Sequence, residues 1–166
     1  MATTKIIERG DIFASPCRVL VNPVNCVGVS GKGLAKEFKK RFPLSVKSYE
    51  NDIRDATGGS DTARKALLGH PTEYGIDENG KIVMFFATKF HWRNSSKLCF
   101  IADGLRDLVD SARGEPDRYS SIAIPAIGCG LGQLSWSAVL PLIQDSAARL
   151  NECGVSVEIY APLEGT

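Results

Sequence analysis

The chain has almost no charge excess. Of its 166 residues, 20 are Lys or Arg and 19 are Asp or Glu, a formal net charge of +1. A protein that coats nucleic acid without regard to sequence neutralises many phosphates, so this balance excludes that class. A small anionic ligand stays open, because a pocket needs only local donors. Long apolar runs are also missing. None approaches the roughly 20 residues of a membrane-spanning helix, and Met1 to Arg9 lacks the apolar core of a secretion signal. Cys17, Cys26, Cys99, Cys129 and Cys153 are odd in number and widely spaced. No CxxC or Cys/His cluster at zinc spacing occurs, so neither a metal nor a cofactor is expected. Free thiols point to a reducing compartment and a cytoplasmic setting. Hydrophobic residues at 43% and charged residues at 23% suit a soluble globular protein. The length suits one domain over 1–166, expected as a monomer with no membrane partner.

Internal repeats, low-complexity tracts and interdomain linkers are absent too. Strand and helix patterns alternate instead. Lys5–Glu8, Val19–Val24, Thr72–Ile76, Ile82–Ala87, Ile122–Ile127 and Val155–Tyr160 read as strands. Asn79-Gly80 between the third and fourth supplies the positive φ angles of a type I′ hairpin turn. Leu34, Phe38 and Phe42 share one helical face, and Pro43 closes that helix or opens the next, over Val46 to Ile53. Leu98, Ile101, Leu105 and Leu108 mark another helix, and Val139, Leu140, Ile143, Ala147 and Leu150 a last one. Thr57-Gly58-Gly59-Ser60 reads as a surface loop. This order predicts an α/β protein, a mixed and mainly parallel sheet between two helix layers. In such sheets the ligand crevice lies beyond the carboxyl ends of the strands.

Two glycine-rich segments follow directly on apolar strands. Asn25-Cys26-Val27-Gly28-Val29-Ser30-Gly31-Lys32-Gly33 opens a helix, and Gly128-Cys129-Gly130-Leu131-Gly132 leads toward another near Ser135. Glycine lets the backbone approach a ligand closely, and N–H groups at a helix start favour anions. Either these are only tight turns, or together they cradle a diphosphate from opposite sides. Neither is a P-loop or a dinucleotide fingerprint, because Gly33 follows Gly31-Lys32 and Gln133 stands where a third glycine would be. Lys89 ends a buried strand in Thr88-Lys89-Phe90-His91-Trp92-Arg93. It is either an ordinary solvated charge or a group at the crevice mouth that holds phosphate or acts at an electrophilic carbon. Trp92 can stack on a base or pack in the core. Asp11, after the first strand, can cap a turn or accept from an amino group such as that of adenine. His91 has no nucleophile partner in sequence, so a hydrolase triad is not supported.

In combination, Arg9-Gly10-Asp11-Ile12, Val21-Asn22-Pro23-Val24-Asn25, the Gly28–Gly33 loop and Ile124-Pro125-Ala126-Ile127-Gly128-Cys129-Gly130-Leu131-Gly132 resemble a macrodomain. The pieces run in family order over nearly the whole chain. Val27 to Ala35, Phe38-Lys39, Thr88-Lys89 and His91-Trp92-Arg93 are most similar to the group of bacterial DNA ADP-ribosyl glycohydrolases and the terminal ADP-ribose protein glycohydrolase. The resemblance implies a three-layer α/β/α fold that binds ADP-ribose and cleaves it from modified targets. Asp11 and Ile12 would meet adenine. Ser30, Gly31, Lys32, Gly33, Gly128, Cys129, Gly130, Leu131 and Gly132 would hold the diphosphate and far ribose. Asn25 would face that ribose, Lys89 would be the catalytic lysine, and His91 and Trp92 would contact the target. One departure is Gly132, where the human member has an aspartate, so a lysine–aspartate mechanism does not carry over whole. ADP-ribosylated DNA, with thymidine the favoured link, is the expected substrate. A non-catalytic reader, a phosphatase of ADP-ribose 1″-phosphate and a hydrolase of ADP-ribosylated Asp or Glu in proteins are the alternatives.

Overall fold

Apolar strands flanked by amphipathic helices give a sheet with both faces covered. A computed structural model describes residues 1–55, 58, 60–77 and 80–163. Among these residues six strands, β1 (Thr4–Ile7), β2 (Val19–Asn25), β3 (Thr72–Ile76), β4 (Ile82–Lys89), β5 (Ser121–Ile124) and β6 (Ser156–Tyr160), lie in the order β1-β6-β5-β2-β4-β3. All neighbours are parallel except β3 and β4. The five α-helices among the described residues are α1 (Gly33–Arg41), α2 (Pro43–Asp55), α3 (Asp61–Lys65), α4 (Leu98–Gly114) and α5 (Trp136–Glu152).

The period-two alternation of a strand decides which layer each apolar residue serves. Val19 and Val21 of β2, Ile82, Met84 and Phe86 of β4, and Ile122 and Ile124 of β5 pack with Ile101, Leu105 and Leu108 of α4 and Ile143 and Leu150 of α5. The intervening Leu20, Val24, Val83, Phe85 and Ala123 pack on the other face, with Phe38 of α1 and Val46, Tyr49 and Ile53 of α2. All eight residues of β4 are buried, as a strand covered on both faces requires. The expected three-layer α/β/α sandwich is therefore the observed one.

The apolar run Ile122–Ile127 is not a strand throughout: β5 stops at Ile124, because Pro125 has no N–H for the ladder. Helix α3, at five residues, is too short to show a hydrophobic period. Its start is set by Ser60, whose hydroxyl accepts from the Ala63 N–H at 3.4 Å. The β3–β4 hairpin forms, but the turn type expected at Asn79-Gly80 rests on Asn79, which lies outside the described residues, as do Thr57 and Gly59 of the expected Thr57–Ser60 loop.

Candidate active site at the carboxyl edge of the sheet

Parallel strands end at the same edge, so the segments leaving β1, β2, β4, β5 and β6 converge there. They enclose a cleft of about 1550 Å³ lined by Asp11 and Ile12, Asn25, Gly31–Gly33, Lys89, Pro125 with Gly128–Gly132, and Tyr160. Both glycine turns thus reach one cavity. Their tips nearly touch: a Cβ on Gly33 would lie 3.2 Å from Leu131 Cδ1.

Asn25 sits where β2 slips its register. Val24 pairs with Ala87, but Asn25 pairs with Lys89, so the slip sets these two side by side. Asn25 Oδ1 accepts from the Val27 N–H at 3.0 Å and the Val29 N–H at 3.3 Å, and its Nδ2 donates to the Val29 carbonyl at 2.7 Å. The side chain therefore holds the first turn in shape. One Nδ2 hydrogen remains for a ligand, since the amide has two. Beyond this turn, α1 begins at Gly33 with no side-chain cap and no acidic residue in its first turn, so its leading N–H groups stay available to an anion.

Lys89 is 8% exposed, and its Nζ donates to the Leu131 carbonyl of the second turn at 3.2 Å. Burial holds its pKa below the usual 10.5. Cys129 lines the same turn, and burial pushes its thiol up, which keeps it protonated and a poor nucleophile. Among the described residues no group of His, Cys, Asp and Glu side chains is arranged to hold a metal, and no helix is long and apolar enough to cross a membrane.

At the other end, Asp11 is exposed and its Oδ1 accepts from the Phe13 N–H at 2.9 Å, capping the short 3-10 turn Ile12–Ala14. The capping carboxylate also lines the cleft. Tyr160 forms part of this end, and burial pushes its phenol up to about 12. It closes β6, where an apolar strand meets the crevice, and that position was the available signal for it. Two of the expected contacts are not brought to the wall. Ser30 is buried and His91 lies outside the lining. Trp92 does line the cleft, 45% exposed, with the Arg93 guanidinium 4.6 Å from its ring centre. Thr88, Lys36, Arg41 and Arg93 join the lining without having been singled out as ligand contacts.

Comparisons with known proteins agree with this architecture. The Macro domain model matches residues 21–143. The chain is 36% identical over 158 residues to the DNA ADP-ribosyl glycohydrolase of Thermus aquaticus, covering 94% of this chain and 41% of that protein. It is likewise 36% identical over 157 residues to the DNA ADP-ribosyl glycohydrolase of Mycobacterium tuberculosis, covering 95% of this chain and 42% of that protein. It thus spans about two fifths of the length of these relatives. Among solved structures, the macrodomain of Mycobacterium tuberculosis DarG superposes with a TM-score of 0.84 at 31% identity, over 98% of this chain and all of that one. Thermosipho africanus DarTG in complex with ADP-ribose superposes with a TM-score of 0.82 at 33% identity, over all of this chain and 43% of that one. With its sheet order, its paired glycine turns and a family match over most of its length, the chain belongs to the Macro domain family.

Proposed function

We propose that this macrodomain, taken as one unit over 1–166, binds ADP-ribose and removes it from modified targets, with ADP-ribosylated DNA the preferred substrate and thymidine the favoured linked base. The observation that carries the reading is the buried Lys89 ammonium, held to Leu131 where the two glycine turns meet. The DNA ADP-ribosyl glycohydrolase relatives and the ADP-ribose complex of a similar protein support it. Five free thiols fit the cytoplasmic setting that such a role implies.

The cleft divides the work. Asp11, Ile12 and Tyr160 receive the adenine. Gly31–Gly33 with the start of α1, and Gly128–Gly132, receive the diphosphate through main-chain N–H groups. Asn25, with Lys89 beside it, receives the far ribose, and Trp92 faces the linked base. Cleavage at C1″ develops positive charge on the sugar and negative charge on the departing base. The bond from C1″ to the base breaks, its electron pair leaves with the base, and the Lys89 ammonium gives that base a proton. Water adds at C1″ and returns a proton to the amine. Burial makes the ammonium a stronger acid, which favours this donation.

The test is release of ADP-ribose from a thymidine-ADP-ribosylated oligonucleotide and from a Glu-ADP-ribosylated protein, side by side. Lys89→Ala should bind free ADP-ribose within a few-fold of the wild type and lose turnover by at least about 100-fold, the usual weight of a positioned proton donor. Full activity in Lys89→Ala would reject the assignment, and faster release from the protein would reject DNA as the preferred target.

A further inference from the structure

Gly132 is glycine for a different reason from its neighbours. Gly128 and Gly130 have φ of +77° and +60°, which disfavour any side chain. Gly132 lies outside that region, so its backbone tolerates an L residue. What it lacks is room. A Cβ there would lie 2.5 Å from Ser96 Oγ and 3.2 Å from Ser96 Cβ. Rotating the hydroxyl away leaves the second contact in place. Ser96 is also tied at this distance, because its N–H donates to the Gly132 carbonyl at 2.9 Å.

The Ser96 side chain is buried, and its hydroxyl has no hydrogen-bond partner among the described residues. A buried hydroxyl without a partner costs free energy, so bonding does not account for it. Its position does. The segment after β4 grips three successive residues of the second turn: Lys89 Nζ holds the Leu131 carbonyl, the Ser96 N–H holds the Gly132 carbonyl, and Ser95 Oγ donates to Gln133 Oε1 at 3.1 Å. Ser96 is the point where this grip becomes steric.

Resting on the function proposed above, we propose that Ser96 is a positioning residue of the site: it fills the space beside Gly132, keeps the turn bare there, and so fixes the turn against Lys89. The lysine then acts with a main-chain carbonyl as its neighbour and no side chain from position 132.

The test is a mutant cycle over Gly132→Ala, Ser96→Ala, Ser96→Gly and the two double variants. Calorimetry with free ADP-ribose, release from the ADP-ribosylated oligonucleotide and the melting temperature are read for each. Gly132→Ala should weaken ADP-ribose binding at least tenfold and lower kcat. Ser96→Ala should recover part of both in the double variant, and Ser96→Gly should bring both within threefold of the Ser96→Gly single variant, a coupling that independent sites do not show. Wild-type binding by Gly132→Ala would overturn the proposal, as would a double variant no better than Gly132→Ala. Recovery of Tm without recovery of kcat would overturn it too, because Ser96 would then serve folding alone. Should the wild type itself bind no ADP-ribose, the functional reading fails, while additive melting temperatures across the ligand-free cycle separately defeat the steric coupling.

Discussion

Replacing Lys89 with methionine removes the ammonium and keeps an unbranched chain in its place. The ammonium has a favourable contact, the Leu131 carbonyl at 3.2 Å, yet burial leaves its pKa below 10.5. That direction shows which effect wins: the surroundings, hydrogen bond included, favour the neutral amine more than water does. At neutral pH the folded protein therefore carries a penalty that the unfolded chain does not. Methionine should relieve it and stabilise the fold by about 1 kcal/mol, within the usual gain when a functional residue held at a cost is removed. For a chain of this size that is a Tm rise of roughly 2–4 °C. The pH dependence gives a sharper check. Between the folded and unfolded pKa values the unfolded chain binds more protons, so wild-type stability rises with pH through that interval. The advantage of Lys89→Met should be full at pH 7 and shrink as pH climbs toward 10.5, whereas any packing gain from methionine is independent of pH. Calorimetric melts from pH 7 to 10.5, with turnover measured at pH 7, test both halves. A variant that melts below the wild type at pH 7, or whose advantage is flat with pH, would refute the reasoning.

Two further substitutions probe the supports of the cleft. Gly128→Ala puts a side chain at φ +77°, with its Cβ 2.7 Å from Leu134 Cδ1 and 3.0 Å from Ile101 Cδ1. Strain and overpacking together should cost about 2–4 kcal/mol in urea unfolding, and a loss below about 0.5 kcal/mol would show that the turn relaxes freely. Tyr49→Phe removes a buried hydrogen bond from Oη to the Asn25 carbonyl at 2.8 Å and keeps the stack on Phe85, whose ring centre is 4.7 Å away. It should cost about 1–2 kcal/mol and weaken ADP-ribose binding severalfold, because the end of β2 loses its brace; unchanged affinity in calorimetry would detach Tyr49 from the site.

What the sequence made legible was whatever depends on a short stretch of chain. Strands β2 and β4 announce themselves as apolar runs, and glycines after buried strands mark turns wherever the rest of the chain goes. Lys89 stood out because it ends such a strand. The errors arise where an apolar run outlasts its element, as in Ile122–Ile127, or where an element is too short to show a period, as in α3. Ser30, which the resemblance implies as a ligand contact, is buried and outside the cleft lining, and nothing in its glycine-rich segment foretells that. Contacts between distant segments left no local trace. Nothing near Ser96 in sequence indicates that it stands against Gly132, and nothing in Val24-Asn25 shows the register slip that puts Asn25 opposite Lys89.

The basic run of α1 shows how a nearly neutral chain can present positive charge where it is needed. Lys36, Lys39, Lys40 and Arg41 follow one another closely along α1. The fold divides them. Lys39 pairs with Glu50 at 2.9 Å and Lys40 with Glu37 at 3.3 Å, while Lys36 and Arg41 line the cleft. Arg41 lies over the Phe13 ring at 4.6 Å, near the Asp11 end, and Arg93 lies over Trp92 at the same distance. With Lys32 and Lys89, five cationic side chains line the cleft against the two carboxylates of Asp11 and Glu37. Charge concentrated in this way, on the proposed reading, draws a doubly charged diphosphate into one cavity. On the proposed reading, the ADP-ribosyl group itself selects the target, and the polymer contributes little beyond the base it carries.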